Sequence, residues 1–174
     1  MRKTLLVSGF LAVTLFAAAL PARAAEKAAT DPRRATIDTI RAVGTAIYSW
    51  VVDRAGEREA APAAEGRPAE PPPSYRWSDC PAVSYEEAQK LLVPRYLAEL
   101  PRNDGWGHPL ELCIDRKGVG THGHPVFGVR SAGADGRFDG DAYTVGAFDR
   151  TLLDHDIVWF DGYFIAWPTP EPKK

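Results

Sequence analysis

From Asp31 to Arg54 the apolar positions recur at helical spacing, and Ile37, Ile40, Val43, Ile47, Trp50 and Val51 fall on one stripe. Asp31-Pro32 supplies an N-cap followed by proline at the first helical position, and Gly56 lies just past the end. A helix with one apolar stripe must lie on something, so Trp50 and Tyr48 read as packing residues rather than a ligand box. Ser84 and Glu87 form a capping box for a second, short helix through Val93, which Pro94 ends. Beyond it the period changes. Leu110 to Ile114 alternates like a strand and Val126 to Arg130 reads as another. Ile157 to Trp167 holds two apolar runs around Asp161-Gly162, a two-residue hairpin signal. Helix, loop, short helix and then antiparallel strands together predict an α+β fold.

The stretches without periodicity divide the chain. Arg2 and Lys3 precede an apolar run from Leu5 to Leu20, and Ala22-Arg23-Ala24 follows as a small-residue cleavage site. Residues 1–24 therefore read as a secretory signal peptide cut before Ala25. The run is shorter than the ~20 residues a helix needs to span a bilayer, and no cysteine stands near the cut to accept a lipid. The expected product is an exported, periplasmic or secreted protein with no membrane span. Residues 25–56 carry the amino-terminal helix. Residues 57–73, with Pro62, Pro68, Pro71, Pro72 and Pro73, form an extended, exposed spacer. The globular part is expected over 74–167, with a disordered tail over 168–174.

Export changes the charge and gives the cysteines a meaning. Cleavage takes Arg2, Lys3 and Arg23 from the 21 basic residues and nothing from the 23 acidic ones, moving the net charge from −2 to about −5. That balance argues against nucleic acid or anionic lipid as the main partner. Cys80 and Cys113 are the only two cysteines. In an oxidising compartment they read as a disulfide whose loop of ~33 residues contributes roughly 3–4 kcal/mol, the alternative being two buried thiols.

The densest chemistry lies between Ser131 and Asp156, where Asp135, Asp139, Asp141, Asp149, Asp154 and Asp156 crowd together with Gly133, Gly136 and Gly140. Hard divalent cations, calcium above all, take six to eight oxygen ligands from such carboxylates and from backbone carbonyls. The spacing is not that of an EF-hand: Arg137 stands where a second ligand would follow Asp135, and Gly146 where the closing Glu would be. The competing reading is a solvated acidic loop with ordinary Asx-turns.

Two other sets of residues suggest different functions. His122 and His124, with His108 and His155 elsewhere and Cys113 nearby, are a candidate zinc or proton-transfer set. No helical His-Glu-x-x-His, Gly-x-Ser-x-Gly elbow or phosphate loop accompanies them, so surface histidines are the simpler reading and no enzyme is expected. Trp159, Phe160, Tyr163 and Trp167 could present an aromatic binding surface or pack the hairpin on the sheet.

Four pieces in order carry a resemblance: ATIDTIRAVGTAIYSWVVD from Ala35, YLAELPRNDGWGHPLEL from Tyr96, VRSAGADG from Val129, and Asp154 to Ile157. Together they resemble the globular domain of the major pseudopilin, the G subunit of type II secretion systems. That family's pattern runs leucine-proline, Asp-Pro-Trp-Gly-Asn-Pro, Ser-x-Gly-Ala-Asp-Gly and a later Asp-Ile. The resemblance covers about Thr36 to Ile157. It implies a pilin-like fold, a long amino-terminal helix packed on a small antiparallel sheet, with Ca2+ in the loop between the last strands. Carried over by position, the ligands are Asp135, Asp154 and Asp156, with backbone oxygens near Ser131. It also implies a non-enzymatic accessory or interaction protein of protein export, whose partners are secretion-system or pseudopilus components. Several features depart from the pattern. Gly9-Phe10 is the only candidate prepilin cut, and Thr14 stands where the family has an acid. Gly105 and His108 replace the motif's proline and asparagine, and the 57–73 insert and the hairpin after Ile157 are additions.

Overall fold

The computed structural model describes residues 31–57, 74–116 and 127–171. The expected signal peptide, most of the proline-rich insert, the end of the expected tail, and His122 and His124 lie outside the described residues.

Helix α1 spans Pro32–Glu57, three residues beyond the predicted end at Arg54. Its stripe is the expected one: Ile40, Val43, Ile47 and Trp50 are buried, joined by Thr36 and Ala46, and Ile37 and Val51 pack at the margin. Tyr48 differs, at 50 % exposed. It follows Ile47 by one position, about 100° round the helix, at the margin of the stripe, with its ring centroid 6.3 Å from that of Phe127. The short helix α2, Tyr85–Leu92, has both halves of the capping box: Ser84 Oγ accepts from the Glu87 amide and Glu87 accepts from the Ser84 amide.

The strands are β1 (Ser74–Arg76), β2 (Ala82–Val83), β3 (Glu111–Ile114), β4 (Phe127–Ser131), β5 (Ala142–Thr144), β6 (Gly146–Phe148), β7 (Ile157–Phe160) and β8 (Tyr163–Pro168). Six of them form one sheet in the order β2-β3-β4-β7-β8-β6, antiparallel except for the parallel β6–β8 pair, while β1 and β5 form a separate antiparallel ribbon. The β7–β8 turn is the predicted two-residue hairpin. Asp161 and Gly162 both have positive φ, 46° and 108°, as a primed turn demands, and Phe160 pairs with Tyr163.

Alpha-helical packing covers one face of the sheet only. Leu112, Ile114, Phe127, Val129, Ile157 and Trp159 join α1 and α2 in one core. Gly44 lets α1 come close to the sheet, because a Cβ there would stand 2.0–2.5 Å from ring atoms of Trp159. The opposite face holds a second cluster of Tyr75, Trp77, Cys80, Cys113, Tyr143, Val158, Phe160 and Ile165. Residues 74–80 and β5 cover that face, so Leu112, Cys113 and Ile114 are all buried and the predicted alternation is lost. The predicted disulfide is present: Cys80 and Cys113 are bonded, with Cα atoms 5.6 Å apart, and close this second core. Among the described residues no helix is long and apolar enough to cross a membrane.

Candidate functional site

The acidic stretch leaves β4 at Ser131, contributes β5 and β6 on its way, and enters β7 at Ile157, which pairs with Ser131 across adjacent strands. Its first turn is clamped from both sides. On one side the 104–108 loop supplies Asp104, 8 % exposed, whose Oδ1 accepts from the amides of Trp106 and His108 and whose Oδ2 accepts from Ser131 Oγ at 2.6 Å. His108 Nδ1 lies 2.9 Å from the Gly133 carbonyl oxygen. Gly105 approaches α1 so closely that a Cβ would meet the Pro32 carbonyl at 1.9 Å, and its amide donates to Thr36 Oγ1. On the other side the Ala134 amide donates to Leu153 O, and Gly133, at φ 67°, leaves no room for a Cβ beside the Asp154 carbonyl. The Asp-Gly-Trp-Gly-His-Pro and Ser-Ala-Gly-Ala-Asp-Gly stretches, separate in sequence, are thus one interlocked unit.

The aspartates divide between local turn work and a buried centre. Asp135 Oδ1 accepts from the Arg137 amide, Asp149 Oδ1 from the amide and hydroxyl of Thr151, and Asp141 from the amide and hydroxyl of Ser78. The Asp135 and Asp149 contacts are the Asx-type turns of the simpler reading, whereas Asp141 reaches Ser78, 63 residues away in sequence, and ties the stretch to the 74–80 segment. The hydrogen bonds from Ser78 hold the Asp141 carboxyl below its ordinary range, and those from Thr151 do the same for Asp149. Asp156 is different, being only 2 % exposed. Its Oδ2 accepts from the Tyr143 hydroxyl at 2.6 Å and from the Asp139 amide at 3.0 Å, whereas Oδ1 is buried with no hydrogen-bond partner. Burial pushes its carboxyl up to about 6, against the lowering effect of the Tyr143 and Asp139 hydrogen bonds. Asp139 closes the exchange: its Oδ2 accepts from the Asp156 amide and lies 2.9 Å from His155 Nδ1. An open cavity of about 400 Å³ sits here, with Asp139, Asp154, His155 and the exposed Leu152 and Leu153 on its wall.

Of the predicted ligands, Ser131 is fully buried with its hydroxyl committed to Asp104, Asp156 is buried beside Asp139, and Asp135 and Asp154 are exposed. Asp154 shares the cavity wall with Asp139 and His155; Asp135 does not line it. Among the described residues no three His, Cys, Asp or Glu side chains stand close enough to hold a metal as they are. The hard-oxygen donors and the orphaned Asp156 oxygen are of the type a divalent cation takes, but as placed they do not converge on one point. The sequence alone offers Asp139 and His108 as candidates but not these partners, and it does not reveal the roles of Asp104, Tyr143 and Arg130. Asp104 stands two residues before the Trp-Gly-x-Pro motif, and nothing in the local sequence marks Tyr143.

The histidine-centred alternative loses Cys113 to the disulfide. His108 is engaged with Gly133, and His155 packs 5.2 Å from the Phe148 ring and bonds Asp139. Of the candidate aromatic surface, Trp159 and Phe160 are core residues, leaving Tyr163 at 41 % exposed and Trp167 partly buried. No protein-family model matches the chain, and no curated protein or solved structure matches it.

Proposed function

We propose that the chain is an exported, non-enzymatic, pseudopilin-like domain in which Ca2+ ties the 131–156 loop to the sheet, and that it serves protein export through contacts with secretion-system or pseudopilus proteins. The observation that carries this reading is the buried, unpartnered Oδ1 of Asp156 beneath a loop rich in carboxylates. A buried carboxylate oxygen without a donor is costly, and native structures keep one where an ion or function compensates. The order of parts supports the same reading: a helix on an antiparallel sheet, the clamped turn at Ser131–Gly136, and the acidic return into β7. Asp135, Asp154 and Asp156 would supply side-chain oxygens, with backbone oxygens near Ser131, and the bound ion would neutralise the repulsion among them. In this reading the exported protein begins at Ala25.

Calcium that binds only the folded protein raises stability by mass action, so the melting temperature should climb with calcium at ~10⁻⁴ to 10⁻³ M and fall with chelator. Asp135→Ala should remove most of the response and His122→Ala none of it. Stabilisation by zinc but not calcium, lost in His122→Ala or His124→Ala, would replace this reading with a histidine-centred metal site. Mass spectrometry of the exported protein should give Ala25 as the first residue; a cut after Gly9 would instead indicate filament processing.

A further inference from the structure

The unpartnered oxygen of Asp156 is one of two, and its companion is held by an arrangement that the ligand set does not account for. Tyr143 Oη donates to Oδ2 at 2.6 Å, shorter than its 3.0 Å approach to the Gly140 carbonyl. The same hydroxyl accepts from Arg130 Nη1 at 2.8 Å, which polarises it and strengthens its donation to the carboxylate. Arg130 has little freedom of its own. Glu111 Oε2 binds its Nη2 and Nε at 2.6 and 2.9 Å, and its guanidinium lies between the rings of Trp77 and Phe138, 4.3 and 3.8 Å from their centroids. Tyr143 is also pinned through its backbone. It pairs with Tyr75 across the β1–β5 ribbon, the Trp77 amide donates to Asp141 O, and Cys80 bonds the strap to β3.

We propose that Tyr143, set by Arg130, is the positioning residue of the cation site: with the Asp139 amide it occupies Oδ2 of Asp156, so that this carboxylate engages a divalent cation through Oδ1 alone. The inference rests on the calcium reading above and adds to it how the one buried ligand is aimed. A carboxylate with both oxygens free can rotate and chelate through both; here one oxygen has two donors and the other none. Partners that orient a ligand are commonly worth 10–100-fold in metal affinity.

The test is calorimetric titration of the full exported chain with calcium, together with the tyrosine ultraviolet difference spectrum on calcium addition. Tyr143→Phe keeps the ring in the second core and removes only the hydroxyl. It should weaken calcium about 10–100-fold and abolish the difference signal, which arises because Tyr143 bonds the carboxylate whose charge the cation screens. Tyr75→Phe, a neighbouring core tyrosine whose hydroxyl meets Tyr163 instead of Asp156, should leave both unchanged. Arg130→Lys retains charge but not the paired contacts to Glu111 and Tyr143, and should weaken calcium in the same direction, which keeps the test open should Tyr143→Phe fail to fold. Wild-type affinity and an intact difference signal in Tyr143→Phe would overturn the positioning role while leaving the calcium site standing. A wild-type chain that takes up no calcium would overturn both.

Discussion

In the calcium-free protein, stability should fall as pH rises from about 4.5 to about 6, opposite in direction to the usual acid-side behaviour, and Asp156→Asn should flatten that slope. The Asp156 carboxyl binds its proton more tightly in the folded chain, about 6, than at its ordinary value of 3.8, because burial disfavours the anion. The folded state therefore holds more protons than the unfolded one across that window, and each step upward in pH costs stability until the group is ionised in both states. A gap of about two units sets a ceiling of about 3 kcal/mol at 1.36 kcal/mol per unit. Only the part of that gap lying between about pH 4.5 and about 6 is traversed, so ~1–2 kcal/mol is expected. Glu87, Asp141 and Asp149 are shifted downward by hydrogen bonds from Ser84, Ser78 and Thr151. Their stabilising contributions are present above their unfolded values and are lost only at lower pH, outside the window. Urea unfolding in chelator at several pH values, for the wild type and for Asp156→Asn, cancels every other titrating group when the difference is taken. Saturating calcium should reverse the slope, since the cation favours the ionised form. A wild-type curve parallel to that of Asp156→Asn between pH 4.5 and 6 would refute the reasoning.

Gly44→Ala should destabilise the protein by roughly 1–3 kcal/mol in thermal or chemical unfolding, because the overpacking at Trp159 outweighs the ~1 kcal/mol that alanine gains in a helix. Reducing the Cys80–Cys113 bond, or replacing both residues by alanine, should lower stability by roughly 3–4 kcal/mol, read as a drop in the urea midpoint. Asp104→Ala leaves the part-buried amides of Trp106 and His108 and the buried Ser131 hydroxyl without their acceptor, and a loss of roughly 2–4 kcal/mol is expected. Adding Ser131→Ala to Asp104→Ala should cost less than the sum of the two single changes, since they share one hydrogen bond; strict additivity in a double-mutant cycle would contradict that contact.

Much of the fold follows from local pattern alone. The stripe of α1, the capping box of α2 and the Asp161-Gly162 hairpin rest on interactions within a few residues, so spacing and residue type suffice to place them. The disulfide was legible for another reason, because two cysteines in a chain read as exported leave a single pairing. The short strands β1, β5 and β6 were not legible: each has three residues, too few to display a period, and each is a strand only because a distant partner supplies its hydrogen bonds. The same limit hid the second core, since a strand covered on both faces stops alternating once a remote segment lies over it. At the candidate site, sequence could count carboxylates but could not sort them. Asp141 and Asp156 are the same residue type in the same loop; one faces Ser78 in the open and the other is enclosed by Tyr143 and Asp139 with one oxygen unpaired. Burial and the identity of the neighbouring donors decide which aspartate is an exposed tie to another segment and which is enclosed with an unpaired oxygen, and both are properties of the packed chain.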